Sequence, residues 1–277
     1  MTRHKEQLGF LTFAINSKET DYLRLAYMQA LTVKHTQKNN RYAVVVDSAT
    51  AELINDKHKK VFDYVIEIPN QDYGPFGYEH LAFNLTPFKE TIKLESDLLF
   101  TRSIDHWINA FRLRDVVLSV GCRNYQQTKS TSRKYRKLFD DNYLPDTYNG
   151  LMYFRYTQTA ADFFNCAKLI FNNWETVKNN LLNCNDVYPS TDIVYALAAK
   201  ITGEELCTVP SADFINFVHM KPAINNFDED VEFENVFVSE FDNGMIRINN
   251  INQYHPFHYY DKNFIKDEMI EYYESNG

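Results

Sequence analysis

Two acids spaced one residue apart, Glu95 and Asp97, close the apolar segment Ile92-Lys93-Leu94-Glu95-Ser96-Asp97-Leu98-Leu99-Phe100. Read as a strand, the segment sends Lys93, Glu95 and Asp97 to one face and Ile92, Leu94, Ser96 and Leu98 to the other. Two carboxylates on one side of an apolar strand end repel each other unless a proton or a cation intervenes. A divalent ion bridging diphosphate oxygens satisfies that requirement and makes a donor site. A second apolar run, Phe214 to Val218, delivers His219 at its end, with Lys221 and Pro222 beyond it. Carboxylates with one imidazole suit Mn²⁺ or Mg²⁺, the nitrogen tilting the choice toward Mn²⁺. Lys221 is placed to neutralise a departing diphosphate. Spacing alone is met equally by a solvated strand-to-loop junction and a structural histidine, so the two segments gain weight only together.

The elements that must position these residues alternate along the chain. Apolar runs at 8–15, 42–47 and 63–68 read as strands, the second ending on Asp47 and the third stopped by Pro69. Between them, 21–36 carries Leu23, Ala26, Tyr27, Ala30 and Leu31 at helical spacing, and a polar helix is expected over 49–60. A loop with Gly74, Pro75 and Gly77 precedes a short helix broken at Thr86-Pro87. Further strands are expected at 91–95, 116–120, 149–156 and 213–218, the last as the final core strand. Helices are expected at 104–112, 159–180 and 191–201, with a short one near 135–139. This is an α/β pattern: a mixed, mainly parallel sheet with helices on both faces. After Ala223 the character changes, and Asp242-Asn243-Gly244 between two apolar runs signals a β-hairpin. The expected organisation is a catalytic domain over 1–224 with a C-terminal extension, 225–277, packed on it.

Composition narrows the class. The 277 residues are 44% hydrophobic and 15% aromatic, enough for a large core. Cys122, Cys166, Cys184 and Cys207 are scattered with no C-x-x-C pair, which disfavours a zinc site or a disulfide framework. The charged start and the lack of any run of ~18 apolar residues argue against a signal peptide or membrane span, and a cytoplasmic protein is expected. Net charge is −8, unfavourable for a general nucleic-acid binder. The stretch 101–137 departs from that balance, with nine basic residues against Asp105 and Asp115. No G-x-G-x-x-G or P-loop occurs, and neither G-x-S-x-G nor H-E-x-x-H is present. A phosphate-handling chain built this way needs a metal.

The order of Asn16 after the first strand, the Asp47-ending strand, Glu95-Ser96-Asp97, Asn149-Gly150 and His219-x-Lys221-Pro222 resembles the glycogenin-like family 8 glycosyltransferases over residues 8–222. The similarity is nearest to glycosyltransferase-like proteins of T4-like tailed phages. The resemblance implies a GT-A fold, a Rossmann-like sheet with an Asp-x-Asp metal motif. It implies Glu95, Asp97 and His219 as metal ligands, Ala14, Asn16 and Tyr22 in the nucleoside pocket, and Ser96 beside the donor. Asn149 and Gly150 take the place of the turn that faces the donor sugar, and Asp192 and Lys221 join Asn149 as catalytic-site groups. Three departures stand out. The first motif aspartate is Glu95, Ser190-Thr191-Asp192 keeps only the last aspartate of the family's Asp-Gln-Asp, and the lysine before Thr86-Pro87 is replaced near His80 or Leu81.

The implied reaction transfers a sugar from a nucleoside-diphosphate sugar to an acceptor hydroxyl, with retention at the anomeric carbon. If the basic stretch lines the acceptor cleft, a polyanion is implied, such as a hydroxymethylated base in phage DNA, with a glycan as the competitor. Two rivals remain: an inactive nucleotide-sugar-binding module, and a nucleotidyltransferase. The latter needs a glycine-rich first loop that Asn16 to Thr20 does not provide.

Overall fold

The computed structural model describes residues 6–69, 77–208, 214–228 and 230–276. The loop expected at Gly74-Pro75 lies outside them. Six strands form the central sheet: β1 (Glu6–Phe13), β2 (Tyr42–Asp47), β3 (Tyr64–Ile68), β4 (Phe88–Leu94), β6 (Val116–Val120) and β7 (Thr147–Arg155), in the order β3-β2-β1-β4-β7-β6. The first four are mutually parallel, and β7 runs antiparallel to both β4 and β6. The expected mixed, mainly parallel sheet is therefore the observed one.

Alternation along the strands divides the core in two. Phe10, Tyr42, Val44, Ile92, Leu94 and Tyr153 face one side, where the helix α1 (Tyr22–Thr36) packs. Leu11, Ala43, Val45, Phe88, Met152 and Phe154 face the other, beneath α2 (Gln158–Asn172) and α3 (Thr191–Thr202). Strands buried on both faces read as continuous apolar runs, which is why Tyr42 to Val46 carries no polar residue.

Several expectations change in detail. The polar helix of 49–60 is two short helices, Ser48–Ala51 and Asp56–Val61, each capped by a side chain, Asp47 and Asn55 respectively. The helix begun at 159 stops at Asn172, and a separate turn of helix, Trp174–Lys178, follows. The final core strand is not in the central sheet. Only Val218–His219 is extended, as β8 in a second sheet with β5 (Leu98–Leu99) and β12 (Phe257–His258). A third sheet holds β9 (Ser239–Asp242), β10 (Met245–Ile248) and β11 (Ile251–Asn252), with the expected hairpin at Asn243-Gly244, both at positive φ. The chain ends in α4 (Asp267–Asn276), which packs on α1 through Met269 and Tyr273. Among the described residues no helix is long and apolar enough to cross a membrane.

At the edge of the sheet, Asp63 ties β2 to β3. It accepts from Lys34 Nζ at 2.6 Å, Arg41 Nη1 at 2.6 Å and the Tyr42 N–H at 2.8 Å. Burial opposes ionisation of Asp63, but these donors outweigh it and hold its pKa below the ordinary value. A depressed carboxylate contributes stability that is complete above its unfolded pKa of about 3.9 and is lost as pH falls through the folded value. Asp63→Asn is therefore expected to cost about 1–3 kcal/mol at pH 7. Urea titrations at pH 7 and pH 3 should show the gap from wild type shrinking at the lower pH; an unchanged gap would contradict this account.

Candidate donor and metal site

The site begins where β4 ends. Glu95 to Leu98 form a tight turn, closed by the Leu98 N–H donating to Glu95 O at 3.2 Å. The strand alternation expected through Asp97 stops at Leu94, so the turn, not the pleat, brings Glu95 and Asp97 to one side. Gln29 of α1, fully buried, donates to the carbonyls of both Glu95 and Leu98 at 2.6 Å, and its own carbonyl accepts from Tyr42 Oη at 2.6 Å. The turn is thus held by a helix on one side of the sheet and a strand residue within it.

Asp97 leads directly into β5, and β12 pairs with β5 and β8 at once. His258 lies opposite Leu98 on one side and opposite His219 on the other. Its Nε2 stands 3.0 Å from Glu95 Oε2 and 3.1 Å from Asp97 Oδ1. One ligand atom each from Glu95, Asp97 and His258 lie within 4.8 Å of one another. His219 is outside that group. A strand separation of ~4.8 Å puts β8 two steps, roughly 10 Å, from the strand following Asp97. The imidazole that meets the acids is His258, from a tail to which no chemistry was assigned.

His219 instead backs His258, with the two Nδ1 atoms 3.0 Å apart and the rings edge to face. The Lys221 N–H donates to the same His219 Nδ1 at 3.3 Å. That nitrogen is therefore an acceptor, so the proton between the rings belongs to His258 Nδ1. This leaves Nε2 of His258 facing the two carboxylates at ion-pair distance.

Burial pulls the pKa of His258 down, but Asp97 and Glu95 outweigh it and push it up to about 9. Burial raises Asp97 and Glu95, yet both are held below their ordinary values by His258, and Asp97 also by Lys262. Lys262 Nζ contacts Asp97 Oδ2 directly. His219 is held well below its usual value, first by burial and then by the charge on His258.

A polar chain continues inward. Asn149 Nδ2 donates to Glu95 Oε1 at 3.0 Å, and Asn149 Oδ1 accepts from the fully buried Lys93 at 2.9 Å. Lys93 also pairs with Glu79, whose pKa burial raises. The Asn149 N–H donates to Asp192 Oδ1 at 2.7 Å, and Arg136 Nη1 reaches Asp192 Oδ2 at 3.3 Å. Asp192, in the first turn of α3, has its pKa raised by burial despite Arg136. Residues 95, 149 and 192, distant in sequence, therefore meet. Glu79, Lys93 and Arg136 join them without having been singled out for this site, although Lys93 was placed on the face of Glu95.

The other expected residues have definite places. Ala14 is buried at the end of β1, its N–H bonded to Val45 O. Asn16 uses its side chain on the loop, donating to Asp21 Oδ1 at 3.0 Å and accepting from the Leu23 N–H at 2.8 Å. Tyr22 opens α1 with its ring 5.8 Å from Lys262 Nζ. Ser96 is buried in the turn. Lys221 lies with Nζ 4.0 Å from the centre of the Tyr135 ring. Gly150 accepts from the Glu95 N–H, and a Cβ there would fall 2.5 Å from the Phe217 ring.

Among the described residues, four of the nine basic residues of 101–137 form ion pairs. Arg112 pairs with Glu90, Arg133 with Asp140 and Asp146, Lys134 with Asp228, and the buried Arg136 with Asp146 and Asp192. Arg136 is also stacked 3.4 Å from the Phe139 ring centre and 4.2 Å from that of Tyr148. Arg102 lies over Tyr254 at 3.8 Å. Part of the local excess of charge in the sequence is thus matched by carboxylates.

The three-residue group suits a divalent ion. For metal–ligand bonds of ~2.1 Å, adjacent ligands of an octahedron stand ~3.0 Å apart, which matches the His258 contacts to both carboxylates. Two carboxylates and an imidazole are an appropriate donor set for Mn²⁺ or Mg²⁺. The backing of His258 Nδ1 by His219 supplies the orienting partner that metal-binding imidazoles use.

No family model matches the chain, and no curated protein matches it. Solved structures do. GlyE, a glycosyltransferase of Streptococcus pneumoniae TIGR4, is similar over 98% of this chain with a TM-score of 0.53 at 8% identity. The fold is GT-A. This chain spans 60% of GlyE's length. Mouse xyloside xylosyltransferase 1 covers 73% of this chain and 84% of its own, at 11% identity and a TM-score of 0.48. A 4-diphosphocytidyl-2C-methyl-D-erythritol synthase from Anaerococcus prevotii DSM 20548 covers 77% of this chain and 87% of its own, at 10% identity and 0.42.

The close approach at Gly150 has a measurable consequence. Gly150→Ala should destabilise the protein by about 1–3 kcal/mol through overpacking against Phe217. Adding Phe217→Leu should cost less in the Gly150→Ala background than in wild type. Strictly additive effects in thermal melts of the four proteins would rule out that contact as the cause.

Proposed function

We propose that this chain is a metal-dependent glycosyltransferase that uses a nucleoside-diphosphate sugar as donor. The observation that carries the reading is the convergence of Glu95, Asp97 and His258 at the carboxyl end of β4 in a GT-A sheet. Open α/β sheets bind ligands at the carboxyl ends of their strands. Glu95, Asp97 and His258 would hold Mn²⁺ or Mg²⁺, His258 releasing its Nε2 proton to solvent as the ion binds, with His219 acting through His258 as a positioning residue. A divalent ion in that place supplies Lewis-acid neutralisation of the leaving diphosphate.

The reaction forms a bond between the acceptor oxygen and the anomeric carbon and breaks the bond from that carbon to the terminal phosphate oxygen. The acceptor proton passes to the departing nucleoside diphosphate or to solvent. Asn149, fixed by Lys93, Glu95 and Asp192, is suited to orient the donor sugar, and Asp192 acts through it. Lys221, at the exit of β8, is suited to the leaving diphosphate. Ala14 and Tyr22 frame the nucleoside, while Asn16 shapes the loop between them. Retention at the anomeric carbon follows the family resemblance. Of the two acceptors, a glycan hydroxyl is favoured over a hydroxymethylated DNA base, because Arg133, Lys134 and Arg136 already pair with carboxylates. In the domain organisation we infer, the extension 225–277 is packed on 1–224 and contributes His258 to the site.

The deciding experiment is titration with Mn²⁺, by calorimetry and by electron paramagnetic resonance, alongside donor hydrolysis over a panel of nucleotide sugars. Replacing His258 with Ala should weaken Mn²⁺ binding by about 100-fold or more, and His219→Asn by about tenfold. Wild-type turnover of a donor should vanish with chelator. Mn²⁺ binding without any donor hydrolysis would favour the inactive nucleotide-sugar-binding module, and unaltered Mn²⁺ affinity in His258→Ala would remove the proposed ligand set. Gel-shift titration should find hydroxymethylated duplex DNA bound no more tightly than about 10⁻⁶ M at physiological salt, the range of non-specific binding. Nanomolar affinity would restore DNA as the acceptor.

A further inference from the structure

The segment that brings His258 into the site brings a second cation with it. After β12 the chain turns sharply: Tyr260 has φ of 64°, the Asp261 N–H donates to Tyr259 O at 2.7 Å, and the Phe264 N–H donates to Asp261 O at 3.1 Å. The turn is pinned from below by Tyr259 and Phe264, stacked 5.1 Å apart and buried with Ile265. This rigid reversal places Lys262 over the outer oxygen of Asp97, opposite the oxygen that faces His258. The Asp97 side chain is 5% exposed and that of Lys262 36%, so the lysine is the more exposed partner of the pair. The same ammonium approaches the ring of Tyr22.

Each carboxylate of the site already has cationic company: His258 for Glu95, and His258 and Lys262 for Asp97. A divalent ion drawing on Asp97 adds positive charge beside the ammonium, and like charges at that range repel. The lysine side chain is partly exposed and its stem is flexible, so it can turn away without disturbing the buried turn. What it then requires is an anion at the mouth of the site.

We propose that Lys262 is a donor-binding residue that exchanges partners, holding Asp97 in the metal-free protein and contacting the diphosphate of the donor once a divalent ion is bound. The proposal rests on the donor-site reading above. It assigns to the C-terminal turn a diphosphate contact separate from that of Lys221, which comes from β8. The partner exchange has a signature that a merely structural lysine lacks: its removal acts in opposite directions on two ligands. Without Lys262, Asp97 is released to the metal but the diphosphate loses a charge-assisted contact.

The test compares wild type, Lys262→Met and Lys262→Arg by calorimetry, with Mn²⁺ alone and with inorganic pyrophosphate in saturating Mn²⁺ as the probes. Melting temperatures establish that all three proteins are folded. Lys262→Met should bind Mn²⁺ alone more tightly than wild type, by about threefold or more, and pyrophosphate about tenfold more weakly. Lys262→Arg, which keeps the charge, should stay near wild type for pyrophosphate. Wild type that takes up Mn²⁺, with pyrophosphate affinity unchanged in Lys262→Met, overturns the lysine assignment alone. Weaker binding of both ligands in Lys262→Met overturns the partner exchange. Wild type that takes up no Mn²⁺ removes the metal centre and this proposal with it.

Discussion

A single two-residue strand decides which imidazole meets the acidic turn. Phe257–His258 lies between the strand that follows Asp97 and the strand that carries His219, hydrogen-bonded to both. Strand spacing makes that position exclusive: only the middle strand reaches both the acidic turn and the histidine behind it. His258 consequently meets the carboxylates, and His219 meets His258. The hydrogen-bond direction between the rings follows from the backbone, because the Lys221 N–H leaves His219 Nδ1 only an acceptor's role. One short ladder thus sets which imidazole faces the acids and which of its nitrogens does so.

Placing ionised carboxylates where little water reaches is costly unless every lone pair is met. Here the cost is offset by contacts spread over the whole fold. Gln29 from α1 holds the turn's carbonyls, Asn149 from β7 holds Glu95, and the C-terminal segment supplies His258 and Lys262. Lys93 carries the network on to Glu79, and Arg136 and Asp192 extend it to α3. Such a network is strong when complete and expensive when broken, so it holds the buried members of the site in place. The tail cannot be separated from this accounting. Tyr259, Phe264, Ile265, Met269 and Tyr273 belong to the same core as Phe10, Tyr42 and Leu94.

The basic stretch illustrates how sequence charge and surface charge diverge. Arg136 is the extreme case, fully buried between Phe139 and Tyr148 and paired with two aspartates. A guanidinium tolerates this because its planar face stacks on rings while its edge donates to carboxylates. It builds the wall beside Asp192 rather than a track for phosphates.

The sheet and its helices were legible from residue order because they depend on local patterning. Tyr42 to Asp47 and Val116 to Val120 are strands with the bounds their apolar runs imply, and Asn243-Gly244 turns where its backbone freedom allows. The acids at 95 and 97 could be singled out from their spacing at the end of an apolar run. His258 could not. Within Tyr254-His255-Pro256-Phe257-His258-Tyr259-Tyr260 nothing distinguishes a ligand from a packed aromatic segment, and no periodicity connects it to Asp97, 161 positions earlier. Its role arises from strand insertion, a non-local pairing whose partners are chosen by the folded core. Residue types by themselves determined that acids and imidazoles were available on an α/β frame; tertiary structure alone decided which imidazole the acids would face, because strand order in a sheet is set by three-dimensional packing.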